Sequence, residues 1–301
     1  MSLVINHNMM AANTARNLNS HYAQLSKSTQ RLSTGLRVNS AADDAAGLAI
    51  RELQRADIAT LQQGARNAND AISLIQTADG ALSIIDEKLV RMKELAEQAA
   101  TGTYDSTQRL MIESEYQAMA SEITRIANAT DFNGIKLLDG TLSSNTHDGS
   151  GLTATGKLKV HFGTGNDSAE DYYYIKIGQS TASALGVGNQ AIDSKGELRA
   201  GGTISTQEAA QKSLEALTQA IVSKDKIRAH LGAMQNRLEN TITNLNTQAE
   251  NLQAAESRIS DVDVATEMTQ FVRTQILSQS AVAMLSQANS LPKMAMQLIG
   301  G

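Results

Sequence analysis

Residues 61–99, LQQGARNANDAISLIQTADGALSIIDEKLVRMKELAEQA, decide the fold. Leu61, Ala65, Ala68, Ile72, Ile75, Ala78, Leu82, Ile85, Leu89, Met92, Ala96 and Ala99 recur at steps of three and four. That spacing keeps one apolar stripe on one side of a helix. No Pro interrupts it. If the helix extends from Asp43 to Ala100, it is roughly 85 Å long at 1.5 Å of rise per residue. A small globular domain does not contain such a helix, so the stripe predicts a rod.

The composition agrees. Aromatic residues make up only 3% of the 301 residues, there is a single Pro, and Cys and Trp are absent. A chain that is nonetheless 41% hydrophobic builds its core from Leu, Ile, Val, Met and Ala. Most of these are good helix formers, and little in the sequence breaks them. Further helices follow. Leu110, Ile112, Tyr116, Met119, Ile123 and Ile126 mark one over residues 105–129. Leu231, Leu238, Leu245, Leu252 and Ile259 recur every seven residues, a coiled-coil period, behind the capping-box spelling Ser205-Thr206-Gln207-Glu208. Between them, residues 132–203 turn to Gly, Ser, Thr, Asp and Tyr. Leu158, Val160 and Phe162 alternate with polar residues, as do Tyr173, Ile175 and Ile177, which reads as a β-hairpin. Residues 141–150 read as an exposed loop. Ser143, Ser144 and Thr146 are candidate glycan acceptors by exposure alone.

Charge separates the ends from the middle. All 31 acidic residues lie between Asp43 and Glu267. The charge-poor ends keep helical stripes. Ala15, Leu18, Tyr22, Leu25, Thr29 and Leu32 form one; Leu277, Ala281, Met284, Ala288, Leu291, Ala295 and Leu298 form the other. A disordered tail has no reason to keep such a stripe, so both ends read as segments meant for burial against helices. The expected fold is mainly α: a long antiparallel helical rod with coiled-coil N- and C-terminal arms and a small β-hairpin insert. Its segments are an N-terminal arm over 1–42, rod helices over 43–131, the insert over 132–203, a rod helix over 204–262 and a C-terminal arm over 263–301. Pro292 is expected to kink the last helix or mark a terminal turn, and Gly300-Gly301 to fray.

Several function classes are excluded. A net charge of −5 gives no case for nucleic-acid binding. No stretch of about 20 mostly apolar residues offers a membrane span, and the start lacks a cleavable secretion signal. The five His never stand at i,i+3 or i,i+4, and no Walker A, dinucleotide or nucleophile-elbow spelling occurs. Asp43-Asp44 are adjacent, so they do not face each other on a helix, and they read as residues drawn to a helix N-terminus. Neither an enzyme nor a cofactor is expected.

Arg31 to Ile50 reads RLSTGLRVNSAADDAAGLAI. This stretch closely resembles the N-terminal signature of bacterial flagellin. Shorter landmarks are similar too: Ile5 to Asn8, Asn67 to Ala71, Phe132-Asn133-Gly134, Asp261 to Glu267, and Ala288 to Pro292. The resemblance covers roughly 1–140 and 180–301. It implies a flagellar filament subunit, exported unfolded by the flagellar type III apparatus and located outside the cell. In that family the two arms line the filament core and the rod helices surround them. The implied packing residues are Leu18, Tyr22, Leu25, Leu32, Leu277, Met284, Leu291 and Leu298. The implied partners are copies of the same chain, an export chaperone on the C-terminal arm, and the filament cap and hook-junction proteins. An animal Toll-like receptor is also implied, through Arg91, Leu95 and Glu115; the bland alternative is an exposed helix face that supports contacts between subunits. Two rivals stand beside this reading. One is the hook–filament junction protein. The other is a coiled-coil adaptor or a membrane-active helix, which the scarcity of basic residues after Glu267 disfavours.

Overall fold

The predicted stripes become five long helices in the computed structural model, which describes residues 7–150, 155–168, 170–189 and 200–299. Its side chains are described except at residues 155, 291–293 and 295–299. Helix α1 spans Met9–Thr34, α2 Ala45–Ala100, α3 Ser106–Ala129, α5 Gln207–Ser260 and α6 Val264–Ile299, with a single short turn of helix, α4 (Ala182–Leu185), before α5. The mainly helical class with a small β-hairpin is therefore borne out. Helix α6 runs through Pro292 without a stop. The side chains of Leu291 and Leu298, together with Ile5, Asn6 and Gly300-Gly301, lie outside the described residues.

Two compact units divide the chain: residues 1–58 with 250–301, and residues 59–249. In the first, α1 and α6 pack antiparallel. Asn8, the N-cap of α1, donates from Nδ2 to the Ala288 carbonyl at 2.8 Å, whereas Arg31 near the end of α1 meets Glu267 near the start of α6 at 3.4 Å. Within the stretch Arg31 to Ile50, the connection from α1 to α2 is tied to the one between α5 and α6. Gly35 ends α1 in the left-handed region, φ 72°, which glycine adopts without a Cβ penalty. Leu36 then pairs antiparallel with Asp261. The Arg37 amide donates to the Ser260 carbonyl at 2.6 Å, and the Val262 amide to the Gly35 carbonyl at 3.0 Å. Buried Arg51 donates to the Val38 carbonyl at 2.8 Å from below.

The adjacent carboxylates of the reversal divide their work. Asp44 Oδ1 accepts the Gly47 amide at 2.8 Å at the head of α2, a capping role that fits the helix-terminus expectation. Asp43 instead ties the turn: its carboxylate lies 2.7 Å from Lys27 Nζ and accepts the amides of Asn39 and Ser40. The Lys27 hydrogen bond, helped by the Asn39 amide, holds its pKa down at about 2.

The second unit carries the larger core. The stripe of α2 is buried from Leu61 to Ala99, except that Ala71 and Leu74 are buried where Ile72 is only half-covered. Tyr116 and Ile123 of α3 and Leu217, Leu231 and Leu238 of α5 are buried in the same unit. Asp105 caps α3 in a reciprocal capping box with Gln108. At the head of α5 the cap is one residue later than the Ser205 spelling suggests: Thr206 Oγ1 accepts the Ala209 amide at 3.2 Å, and Glu208 is left to pair with Lys212. The helix can start there because Ser205 is already engaged with Thr203.

The expected hairpin is formed by Leu158–His161 and Tyr172–Ile175, antiparallel, with Val160 opposite Tyr173. Val160, Phe162, Ile175 and Ile177 turn inward, as the alternation predicts. Two two-residue pairings precede it: Asp131–Phe132 with Ile135–Lys136, and His147–Asp148 with Thr155–Gly156. The segment 141–150 is thus not wholly an exposed loop. Leu142 is buried, and His147 and Asp148 pair as strand.

Candidate assembly surface

Helix α6 presents to α1 a face that mixes small and polar residues with two large apolar ones. Phe271, Thr274, Ser278, Ala281, Leu285 and Ala288, alternating three and four residues apart, are the covered positions. Opposite them, Leu18, Leu25, Ser28 and Leu32 of α1 are covered, along with His21. The seam therefore lies about one residue round each helix from the apolar stripe of the sequence. Tyr22 is 51% exposed, Leu277 42% and Met284 58%. The reason is local chemistry. Ser and Thr let two helices approach closely, and Thr274 satisfies its hydroxyl by donating to the Gln270 carbonyl at 2.8 Å.

What the seam leaves outside is apolar. Met268, Val272, Ile276, Leu277, Val282 and Met284 are all exposed on α6, on both flanks and on the side away from α1. Apolar residues thus stand on every side of α6, among polar ones such as Gln275 and Gln279, a distribution that suits a helix contacted by protein on more than one side. Among the described residues no helix is long and apolar enough to cross a membrane. The uncovered surface of this unit is thus suited to other protein. Isolated exposed apolar residues are ordinary; a band of them along one helix marks an interaction surface.

The second unit carries the residues expected at the receptor site. Arg91 donates from Nε and Nη2 to Glu115 Oε1 at 2.9 and 2.8 Å, and from Nη1 to Glu94 at 3.0 Å. Glu115, then Glu94, raise the pKa of the guanidinium. The group is a solvent-facing ion-pair cluster bridging α2 and α3. Leu95 is not beside it on the surface: it is 1% exposed, turned into the core with Met92. Ser144 and Thr146 are exposed, their hydroxyls 3.0 Å apart, while Ser143 is half-buried and donates to the Gly140 carbonyl at 2.6 Å.

Sequence reasoning passed over one cluster. Lys224 is almost wholly buried, with Nζ 2.5 Å from Asp86 and 2.7 Å from Asp225. One turn on, Arg228 Nε lies 2.7 Å from Asp79, whose pKa that hydrogen bond lowers. The signal was present: Lys224 stands seven residues from both Leu217 and Leu231, a charge on the heptad itself. A charged residue at such a position fixes register between helices. It offers no catalysis. No group of three His, Asp or Glu side chains that could hold a metal occurs among the described residues.

Two antiparallel arms with apolar residues left uncovered, joined to a unit with a core of its own, define a mainly helical structural protein. Residues 5–143 match the bacterial flagellin N-terminal helical region, and residues 214–299 the bacterial flagellin C-terminal helical region. The chain is 42% identical to a flagellin of Halalkalibacterium halodurans, over 99% of this chain and 100% of that one. It is 40% identical to the flagellar filament 33 kDa core protein of Treponema phagedenis, again over 99% and 100%. The chain belongs to the bacterial flagellin family, whose members form the extracellular flagellar filament. A putative flagellar hook-associated protein from Vibrio parahaemolyticus shares the fold, with a TM-score of 0.56 at 16% identity over 73% of this chain and 100% of that one.

Proposed function

We propose that this chain is the repeating subunit of a flagellar filament and works mechanically, without catalysis. One observation carries the reading: α6 exposes Met268, Val272, Ile276, Leu277, Val282 and Met284 on the sides that α1 leaves uncovered. A subunit that repeats along a helical polymer buries such a helix on its remaining sides. The contacts are heterologous, so they propagate instead of closing. Leu18, Tyr22, Leu25, Leu32, Leu277 and Met284 supply the packing residues, with Leu291 and Leu298 assigned by sequence alone. In this reading residues 1–42 and 263–301 are the filament-core arms, and 43–131 and 204–262 the surrounding helices.

The partners follow from the same surface. Before polymerisation the C-terminal arm exposes apolar area liable to premature association, which a flagellar export chaperone would cover while the type III apparatus secretes the chain. Cap and hook-junction proteins would meet the arms at the filament ends. The Arg91–Glu115 cluster is the part of the expected Toll-like receptor site that a partner can touch; Leu95 would only hold that helix in place from within. The hook–filament junction reading is weaker, because the curated relatives matched over nearly their full length are flagellins.

Seeding the purified monomer with ammonium sulfate and imaging by negative-stain electron microscopy tests the proposal. Excluded salts strengthen apolar burial, so long uniform filaments are expected. A chain that stays monomeric at every salt concentration refutes it.

A further inference from the structure

Four exposed methionines gather at one end of the α1–α6 pair. Met9 and Met10 form the first turn of α1, directly after Asn8, whose side chain donates to the Ala288 carbonyl. Met284 lies one turn before Ala288, and Met294 less than two turns after it. Met9 is 65% exposed and Met284 58%. Further back along α6, past Met284, the exposed apolar residues are mainly aliphatic: Val272, Ile276, Leu277 and Val282. Met92 and Met234 are buried in the second unit, whereas Met111 of α3 and Met268 at the start of α6 are exposed elsewhere. Four of the six exposed methionines among the described residues thus lie at this end of the arms.

We infer that this methionine-rich end is an oxidation site that gates polymerisation, reversibly and only before assembly. The inference rests on the filament reading above. A peroxide is the oxidant. The thioether sulfur attacks one peroxide oxygen, the O–O bond breaks, a sulfur–oxygen bond forms and water leaves, so each sulfide gains one oxygen. The product is a polar, strongly hydrogen-bond-accepting sulfoxide on a side chain that packed as a flexible hydrophobe. Burying it without a donor carries the cost of an unsatisfied polar group. Every subunit repeats the defect, so the polymer is disfavoured at each step. Once assembled, the same sulfurs are covered and peroxide reaches them slowly.

Hydrogen peroxide treatment of the monomer, followed by seeded polymerisation and peptide mass spectrometry, tests this. Oxidised monomer is expected to need at least tenfold more protein to polymerise, and methionine sulfoxide reductases to restore assembly. Sulfoxide at these four positions should be depleted in the pelleted polymer relative to the soluble pool, and preformed filaments should resist the same treatment. In a variant with Met9, Met10 and Met294 changed to Leu, peroxide should raise the protein needed for polymerisation less than in wild type, with the remaining effect tracking sulfoxide at Met284. Oxidised wild type that polymerises like untreated protein overturns the inference and leaves the filament reading intact. So does a Leu variant that peroxide inactivates as fully as wild type, or, if that variant fails to assemble, equal sulfoxide occupancy in polymer and soluble pool. Untreated protein that never polymerises sinks both.

Discussion

Asp43 shows how much a single side chain organises in this chain. Its carboxylate holds Lys27 and two amides of the turn between α1 and α2, and its pKa sits at about 2 against an ordinary 3.8. The sign follows from which state binds the proton more weakly. The folded group is the stronger acid, so it stabilises the fold above pH 3.8, and that contribution is lost as pH falls through about 2. Asp79, held down by the Arg228 hydrogen bond, acts in the same direction in the other unit. Carboxyl chemical shifts followed against pH should therefore show Asp43 titrating near 2. In Lys27→Ala the midpoint should rise towards the ordinary value, with acid unfolding of the arm unit moving to higher pH. An unchanged midpoint would remove Lys27 as the cause.

At the scale of elements, α2 shows two opposite fates for glycine. Gly80 is exposed with nothing within 4 Å of where a Cβ would stand. Gly64 faces the hairpin, and a Cβ there would lie 2.0 Å from the Phe162 carbonyl oxygen. Alanine favours a helix over glycine by about 1 kcal/mol. Gly80→Ala should therefore raise stability by up to about 1 kcal/mol. Gly64→Ala makes the same local gain but drives a methyl into backbone held by the Asn67 hydrogen bond to His161, 2.9 Å. Overpacking costs about 1–3 kcal/mol, and a backbone carbonyl yields less readily than a side-chain tip, so a net loss of about 2 kcal/mol is expected. Urea unfolding midpoints measured side by side check the pair; equal and positive shifts would show that the hairpin does not press on α2.

The same element shows what could be read in advance. The stripe from Leu61 to Ala99, the alternation at Leu158 to Phe162 and the capping residue Asp105 all declare themselves locally, because burial there depends on neighbours three, four or two residues away. The seam between α1 and α6 did not. Apolarity was taken as the mark of the inner face, yet in a helix with apolar residues on every side the pattern points in no single direction. Thr274 and Ser278 occupy the inside because close approach, not hydrophobicity, selects them. Leu95 was misplaced for a related reason: a motif names residues, but the rotation of a helix decides which of them reach the surface. Lys224 escaped because a charge on a heptad looks like an interruption until Asp86 is found beside it.

For the whole molecule, the decisive property is that its two units are unequally complete. Residues 59–249 enclose most of the buried apolar core, from Leu61 to Leu245. The unit of residues 1–58 and 250–301 buries few large apolar side chains and leaves many exposed. Removing residues 1–42 and 263–301 should thus cost little of the stability held by the larger core. Such a chain is expected to keep strong helical circular dichroism and a cooperative thermal transition, yet to stay monomeric through the salt series that polymerises the intact protein. The apolar-to-charged changes Leu277→Asp and Met284→Asp should reproduce this in full-length protein, since each puts a carboxylate where the proposed polymer excludes water, a cost of several kcal/mol per subunit. Sedimentation of the polymer against helical content of the monomer separates the outcomes. Loss of polymer with folding retained assigns assembly to the arms. Polymer formed by the trimmed chain would move the interface to residues 59–249 and leave the exposed flanks of α6 without a role.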